Sequence, residues 1–446
     1  MIPIVTPDEM AAIDRAAPEP TATLIGRAGA AVARQAARMM GGTYGRTVVL
    51  VAGKGNNGND GREAARRLRR RGARCIEVDA AEVPDRLPAA DLVIDAAYGT
   101  GFRGDYRAPD PGGAPVLAVD IPSGVDGLTG EAADGAVDAD VTVAFAALKP
   151  GLVLLPGRAR SGVVVVADIG LDVSAARAHL VRANDAGGWL PERPVDAHKW
   201  MSAVWLVAGS PGMTGAAVLA ARGAQRAGAG YVRLSVPGAG TEVGAPVEVV
   251  TTELPATGWV GDVLTDAHRF KAIVVGPGLG SAPAADVRAL VPAAPVPVVV
   301  DGDGLNALGD DPAPAGPRSI LTPHDKEYER LTGYRPGPDR LAAARRLAAA
   351  TGGVALLKGP TTVVADGEGR ILVTTTGNPA LASAGTGDVL AGIIGALCAQ
   401  GLDPAQAAAA GAFTHGWCGL GFDRGLVAGD LPDRLPAVLD ELTKGE

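Results

Sequence analysis

Two sets of residues in this chain are of the types that handle anions and protons. The run Gly53-Lys-Gly-Asn-Asn-Gly-Asn-Asp-Gly61 lies between an apolar stretch, Thr47–Ala52, and a basic helical pattern over 61–71. A strand that ends in such a loop and leads into a helix leaves backbone N–H groups free for an anion. Asn56, Asn57 and Asp60 add side-chain oxygens. The loop lacks the Gly-Lys-Ser/Thr of a Walker loop and misses the dinucleotide spacing. Asp95-Ala-Ala-Tyr-Gly-Thr-Gly101 and Asp120-Ile-Pro-Ser-Gly124 each put an acid at the end of an apolar run. Carboxyl ends of parallel strands are where open α/β sheets bind ligands; the alternative is that both aspartates only cap the turns that follow.

The second set comprises Gly276-Pro-Gly-Leu-Gly280, Asp301-Gly-Asp-Gly-Leu-Asn306, Leu321-Thr-Pro-His-Asp-Lys-Glu327, Lys358-Gly-Pro-Thr-Thr362 and Asn378-Pro-Ala-Leu-Ala-Ser-Ala-Gly-Thr-Gly-Asp388. The last is the most informative. Gly385, Thr386 and Gly387 leave N–H groups free at the head of an apolar helix, suited to charge on a transferring phosphate. Asp388 is placed to accept a proton from a substrate hydroxyl. No two histidines have the spacing of a zinc site. His179, His268 and His415 read as structural or surface residues, and His198 as a loop histidine. Cys75, Cys398 and Cys418 are too few for a disulfide framework or a structural zinc and read as buried thiols.

The elements that must position these residues alternate. Thr6-Pro-Asp-Glu caps a first helix, whose apolar face takes in Met10, Ile13, Leu24, Ile25, Ala28, Ala31 and Val32. Strands are expected at 47–52, 74–78, 92–96, 116–120, 141–144 and 163–166. Runs this apolar suit strands buried on both faces of a parallel sheet, and alternation with helices gives a doubly wound α/β fold. Residues near 170–200 are rich in Asp, Gly and Pro and read as a linker. A second series follows, with strands at 204–208, 232–236, 272–275, 296–301, 319–321, 354–357 and 371–374. Helices fit 215–228, 284–291, 325–331, 339–350, 388–400 and 404–421. The expected boundary falls near residue 195, giving domains of 1–195 and 196–446.

Composition fits this. The chain has 446 residues, 47% hydrophobic and 20% charged, enough for two or three globular domains. Aromatics at 4% and a net charge of −8 argue against a general nucleic-acid binder. The start lacks a basic region followed by an apolar run, and no apolar stretch approaches a membrane span of about 20 residues. A cytoplasmic protein without nucleic-acid or membrane partners is expected.

The amino-terminal motifs resemble the epimerase domain of NAD(P)H-hydrate repair enzymes. The matching residues are Gly55-Asn-Asn-Gly-x-Asp-Gly61, Asp95-x-x-x-Gly-Thr-Gly101, Asp120-Ile-Pro-Ser-Gly124 and Ala147-Leu-Lys-Pro-Gly151. The resemblance implies a Rossmann-like three-layer αβα domain that interconverts the R and S forms of hydrated NADH and NADPH at C6. It implies a potassium ion held by Asn57, Asp95 and Ser123. It also implies substrate contacts from Asn56, Asn57, Gly58, Asn59, Asp60, Gly99, Thr100, Gly101 and Asp120, with Asp120 catalytic. Asn59 stands where the family usually has Gly and could narrow the site.

The carboxy-terminal motifs resemble the ribokinase-like αβα fold and, within it, the ADP/ATP-dependent NAD(P)H-hydrate dehydratases. Gly209-Ser-x-x-x-Thr-Gly-Ala-Ala217, Ala227-Gly-Ala-Gly230, Gly276–Gly280, Asp303-Gly-Leu-Asn306, Thr322-Pro-His324 and Gly385-Thr-Gly-Asp388 match. The resemblance implies substrate contacts from Ala216, Gly278, His324 and Asp388, with Asp388 catalytic. Nucleotide contacts would come from Lys358, Gly359, Pro360, Thr361, Thr362 and Gly387. ADP or ATP would be co-substrate, with Mg²⁺, and self-association is implied. Trp200 and Lys326 depart from the family pattern. Two other readings use the same residues: a small-molecule kinase fused to a sensing domain, whose product would be a stable phosphate ester, and a non-enzymatic binding module in the amino-terminal half.

Overall fold

The computed structural model describes residues 1–102, 104, 106–309 and 315–444. The chain divides into two compact units, one of residues 2–178 and one of residues 179–446 joined by Met1. The division falls earlier than the expected residue 195. Residues 178–189 are not a linker: Val181 N–H donates to Val373 O at 2.9 Å. The helix Ala183–Trp189 approaches the last helix, Asp430–Lys444, so closely that a Cβ on Gly187 would run into the Leu442 carbonyl. Asp, Gly and Pro in this stretch therefore mark short elements and their turns.

In the first unit a parallel sheet runs in the order Arg74–Asp79, Thr47–Ala52, Leu92–Ala96, Val116–Val119, Val141–Phe145, Val163–Ala167. Val48, Leu50, Ile94 and Leu117 face helices through Val32, Ala36, Ala64 and Leu68. Val49, Val51, Val93 and Ala118 face a layer built from largely irregular segments, through Leu87, Tyr106 and Val137. The expected single first helix is two, Pro7–Ala16 and Thr21–Met39, because Pro18 and Pro20 interrupt it. Thr6 and Glu9 close the expected capping box: Thr6 N–H donates to Glu9 Oε2 at 2.7 Å and Glu9 N–H to Thr6 Oγ1 at 3.2 Å.

In the second unit the sheet order is Ala178–Leu180, Ile371–Thr374, Thr362–Ala365, Val354–Leu357, Ser319–Leu321, Val298–Val300, Ala272–Val275, Ala203–Val207, Tyr231–Ser235, Val250–Thr251. The strands from Val354–Leu357 through to Val250–Thr251 pair in parallel. Helices cover both faces. Gly215–Arg226, Thr386–Ala399 and Pro404–Cys418 lie on one, and Val260–Asp266 and Ala284–Ala293 on the other. The sequence reading had no strand at 362–365. That strand pairs antiparallel with Val354–Leu357, because Gly359-Pro360 supplies a turn between an apolar run and the β-branched run Thr362–Val364. No helix among the described residues is long and apolar enough to cross a membrane.

Candidate active sites

Register explains why the amino-terminal motifs meet. Val51 pairs with Asp95, Asp95 with Ala118 and Val119 with Val143. Gly53, Asp95 and Asp120 therefore leave the sheet along one edge. Of the three, Asp120 borders a cavity of about 820 Å³ that is also lined by Asn56, Asn57, Asp60, Gly99, Thr100 and Gly101. The expected loop is partly helix, since Asn56–Arg69 begins inside it with Gly55 at the cap position. Gly58 is required by close approach: a Cβ there would run into the Gly53 carbonyl. Gly58 is buried and does not line the cavity, and neither does Asn59. Asn59 Oδ1 lies 3.5 Å from Arg62 Nη1, so its side chain is directed at Arg62 and does not narrow the cavity.

Asp120 has a left-handed backbone, φ +67°, a strained state for a non-glycine that persists only where surroundings fix it. Its N–H donates to Val143 O at 2.8 Å. Its Oδ1 accepts from Lys149 Nζ at 2.5 Å and from Phe145 N–H at 3.3 Å. The Lys149 side chain is 1% exposed. The carboxyl of Asp60 is pushed up to about 8, by burial first and then by the charges of Asp120 and Asp14. Asp14 stands at the exposed rim of the same cavity. Partial desolvation raises its carboxyl, Lys149 opposing and Asp120 adding. Lys149 belongs to the matching Ala147–Gly151 motif, without an expected role of its own, and Asp14 is not among the expected site residues. The Lys-Pro-Gly run held a usable signal for Lys149; Asp14, on a polar helix face, belongs to no motif.

The three expected cation ligands also converge. Asp95 is 2% exposed, and its two oxygens accept from Ser123 Oγ at 2.7 Å and Ser123 N–H at 2.8 Å. Asn57 Nδ2 donates to Tyr98 O at 3.0 Å, and Ser123 Oγ lies 3.2 Å from the same oxygen. Burial pushes the Asp95 carboxyl up to about 6, against the hydrogen bonds from Ser123. A buried carboxylate with neutral oxygen neighbours and, among the described residues, no protein cation bonded to it suits a hard cation.

In the second unit the strand ends align likewise: Val207 pairs with Val275, Val275 with Val300 and Val300 with Leu321. The residues just beyond them interlock. Asp301 Oδ1 accepts from Thr322 Oγ1 at 2.6 Å and Lys358 Nζ at 2.7 Å. Lys358 Nζ lies 3.4 Å from Glu327 Oε2, and Lys358 N–H donates to Pro323 O at 2.9 Å. Arg340 donates to Lys358 O at 2.8 Å and pairs with Asp325 at 2.9 Å. Gly280 N–H donates to Asp303 Oδ2 at 2.8 Å. Gly278, with φ +61°, packs where a Cβ would lie 2.9 Å from Ala216 Cβ, so these two expected substrate contacts adjoin. His324 caps the helix Asp325–Thr332: its Nδ1 accepts from Lys326 and Glu327 N–H at 3.1 and 3.2 Å, and its Nε2 lies 3.6 Å from Glu327 Oε2. Thr361 is buried and Thr362 opens the hairpin strand, while Gly359 and Pro360 form the turn.

The helix Thr386–Ala399 starts one residue after Gly385, whose φ is +91°. Thr386 Oγ1 donates to Leu381 O at 2.9 Å and Ser383 O at 3.0 Å, which fixes the turn. Asp388 is pushed up to about 7, by burial first and then by Asp301, with Lys358 opposing. His415, read as structural from sequence, lies directly under this turn, its Nε2 2.9 Å from Thr386 O. Burial holds it down at about 4, so it is neutral there and donates through Nε2–H. Trp200 stacks against Tyr231 at 4.5 Å between ring centroids and belongs to an aromatic cluster with Phe270. Lys326 is exposed beside the His324 cap.

The family profile described as NAD(P)H-hydrate dehydratase matches residues 204–440, and that described as YjeF-related protein N-terminus matches residues 21–86 and 76–151. The chain is 37% identical to the bifunctional NAD(P)H-hydrate repair enzyme of Moorella thermoacetica, over 98% of the chain and 97% of that protein. It is 38% identical to the enzyme of the same name from Salinibacter ruber, over 98% and 96%. Among solved structures it is similar to a ribokinase-like superfamily protein from Enterococcus faecalis, with a TM-score of 0.52 and 21% identity, covering 60% of this chain and 96% of that one.

Proposed function

The chain belongs to the family of bifunctional NAD(P)H-hydrate repair enzymes and joins a hydrate epimerase to a hydrate dehydratase, and we propose that the cavity of residues 2–178 performs the first reaction and the Gly385–Asp388 turn the second. Asp120 moves a proton at the substrate, with Lys149 fixing its carboxylate. Asn56, Asn57, Asp60 and Gly99–Gly101 hold the hydrate. Asn57, Asp95 and Ser123 hold a potassium ion, which would supply positive charge beside the buried Asp95 and rigidify the strand ends.

In the second unit Asp388 takes the proton of the C6 hydroxyl of the S hydrate. The hydroxyl oxygen attacks the terminal phosphoryl group of ADP or ATP, the bridging P–O bond breaks, and AMP or ADP leaves. Gly387 N–H and the Lys358 ammonium face the charge that develops. Phosphate then leaves C6, the neighbouring ring carbon loses a proton, and the nicotinamide double bond is restored. Gly359–Thr362 carry the nucleotide, and Ala216, Gly278 and His324 carry the hydrate. Magnesium would arrive with the nucleotide, neutralising its phosphates. Among the described residues no three His, Cys, Asp or Glu converge on a metal position, and Mg²⁺ commonly takes one or two carboxylates plus substrate phosphates. A cytoplasmic location and self-association belong to the same reading; the first rests on the sequence expectation and the second on the resemblance.

The observation that carries the proposal is geometric: Asp388 stands in the first turn of a buried helix headed by Gly385, with Lys358 Nζ 3.6 Å from where a Cβ on Gly387 would sit. The test is incubation of the protein with S-hydrated NADH and ADP or ATP. Restored NADH absorbance with stoichiometric inorganic phosphate is expected. A stable phosphorylated hydrate would instead identify a kinase.

A further inference from the structure

We propose that Asp301 is a positioning residue of the dehydratase: with Glu327 it clamps the Lys358 ammonium beside Gly387 and so keeps that cation from pairing with Asp388. The proposal rests on the dehydratase reading above. Asp301 follows the strand Val298–Val300 and is 3% exposed, so it is not itself open to a ligand. Its Oδ1 takes both Thr322 Oγ1 and Lys358 Nζ. Lys358 Nζ and Asp301 Oδ2 lie 3.6 and 3.8 Å from where a Cβ on Gly387 would sit. Both charges therefore border the N–H groups that would face a phosphoryl group.

A lysine is a point charge on a flexible stem. Released from Asp301, the nearby ammonium has Asp388 as an alternative partner, and an ion-paired carboxylate is a poorer base. The charged groups facing Asp388 are Asp301, Lys358, Asp303 and Glu327; His415, beneath the turn, is neutral. Burial opposes the charge on Lys358, yet Asp301 and Glu327 outweigh it and hold the ammonium protonated. Asp301 in turn raises Asp388, second only to burial, while Lys358 lowers it. Removing the Asp301 charge acts on Asp388 in one direction by both routes.

The test uses the full chain, S-hydrated NADH and ATP, with kcat and kcat/KM followed across pH. In the wild type the acid limb of kcat/KM is expected near pH 7. In Asp301→Asn it should move down by about one pH unit or more, with kcat reduced roughly 10- to 100-fold by misplacement of Lys358. Asp301→Glu, which keeps the charge, should hold the limb near the wild-type position. Glu327→Gln leaves the Asp301–Lys358 contact intact and should give a smaller shift of the same sign. A folded Asp301→Asn with the wild-type limb overturns the clamp. If that variant does not fold, an unmoved limb in Glu327→Gln overturns it. Absence of NADH from the wild type refutes the dehydratase reading instead, and the clamp with it.

Discussion

Asp120 and Asp388 carry the two reactions in different electrical settings. Asp120 is paired with a lysine sealed from solvent, whereas the largest charge effect on Asp388 is repulsion from Asp301. Replacing Asp388 with Asn should lower dehydration about 10²–10⁴-fold and leave R/S interconversion intact, measured by NADH formation and by chromatographic separation of the hydrates. A base needs its ionised form, so the raised carboxyl makes dehydration fall as pH drops through about 7, not near the ordinary aspartate range. Replacing Lys149 with Met should cost about 3–5 kcal/mol in denaturant unfolding of the first unit, because it strands the Asp120 carboxylate in a largely buried position. A smaller loss would mean that water reaches Asp120.

The elements set these residues by stopping in step. Each central strand ends within a residue or two of its neighbours, and the acid or glycine that follows is delivered to one edge. This much was legible in the sequence, since the apolar runs are long enough to count and the motifs sit at their ends. The limits were physical. The helix starting at Asn56 was hidden by glycines and asparagines that ordinarily disfavour helix, and close packing of Gly58 on the Gly53 carbonyl overrides that propensity. The Asp301–Thr322–Lys358 junction joins residues far apart in the chain, and no local pattern announces it. Gly58→Ala is expected to push the start of this helix from its strand, costing about 1–3 kcal/mol and lowering epimerisation more than dehydration. Thermal unfolding alongside both assays tests this, and equal loss of both activities would contradict it.

At the scale of the whole chain, two α/β units each open a site at the carboxyl ends of their strands. Length and motif order pointed to two units. The boundary was misplaced because Asp, Gly and Pro at 170–200 resemble a linker, while residues 179–189 in fact complete the second unit. A fragment of residues 179–446 should therefore unfold at higher temperature than one of residues 196–446, which loses the helix Ala183–Trp189 and its packing on Asp430–Lys444. Equal midpoints would restore the linker reading. The joining of the two reactions is tested most directly with an equal mixture of R- and S-hydrated NADH and excess ATP, followed by NADH absorbance. The wild type is expected to convert the whole mixture. Asp120→Asn should convert the S half and then slow to the rate of spontaneous epimerisation, and Asp388→Asn should restore almost no NADH. Clearance of both halves at the wild-type rate by Asp120→Asn would contradict the assignment of the first unit, and rapid NADH formation by Asp388→Asn that of the second.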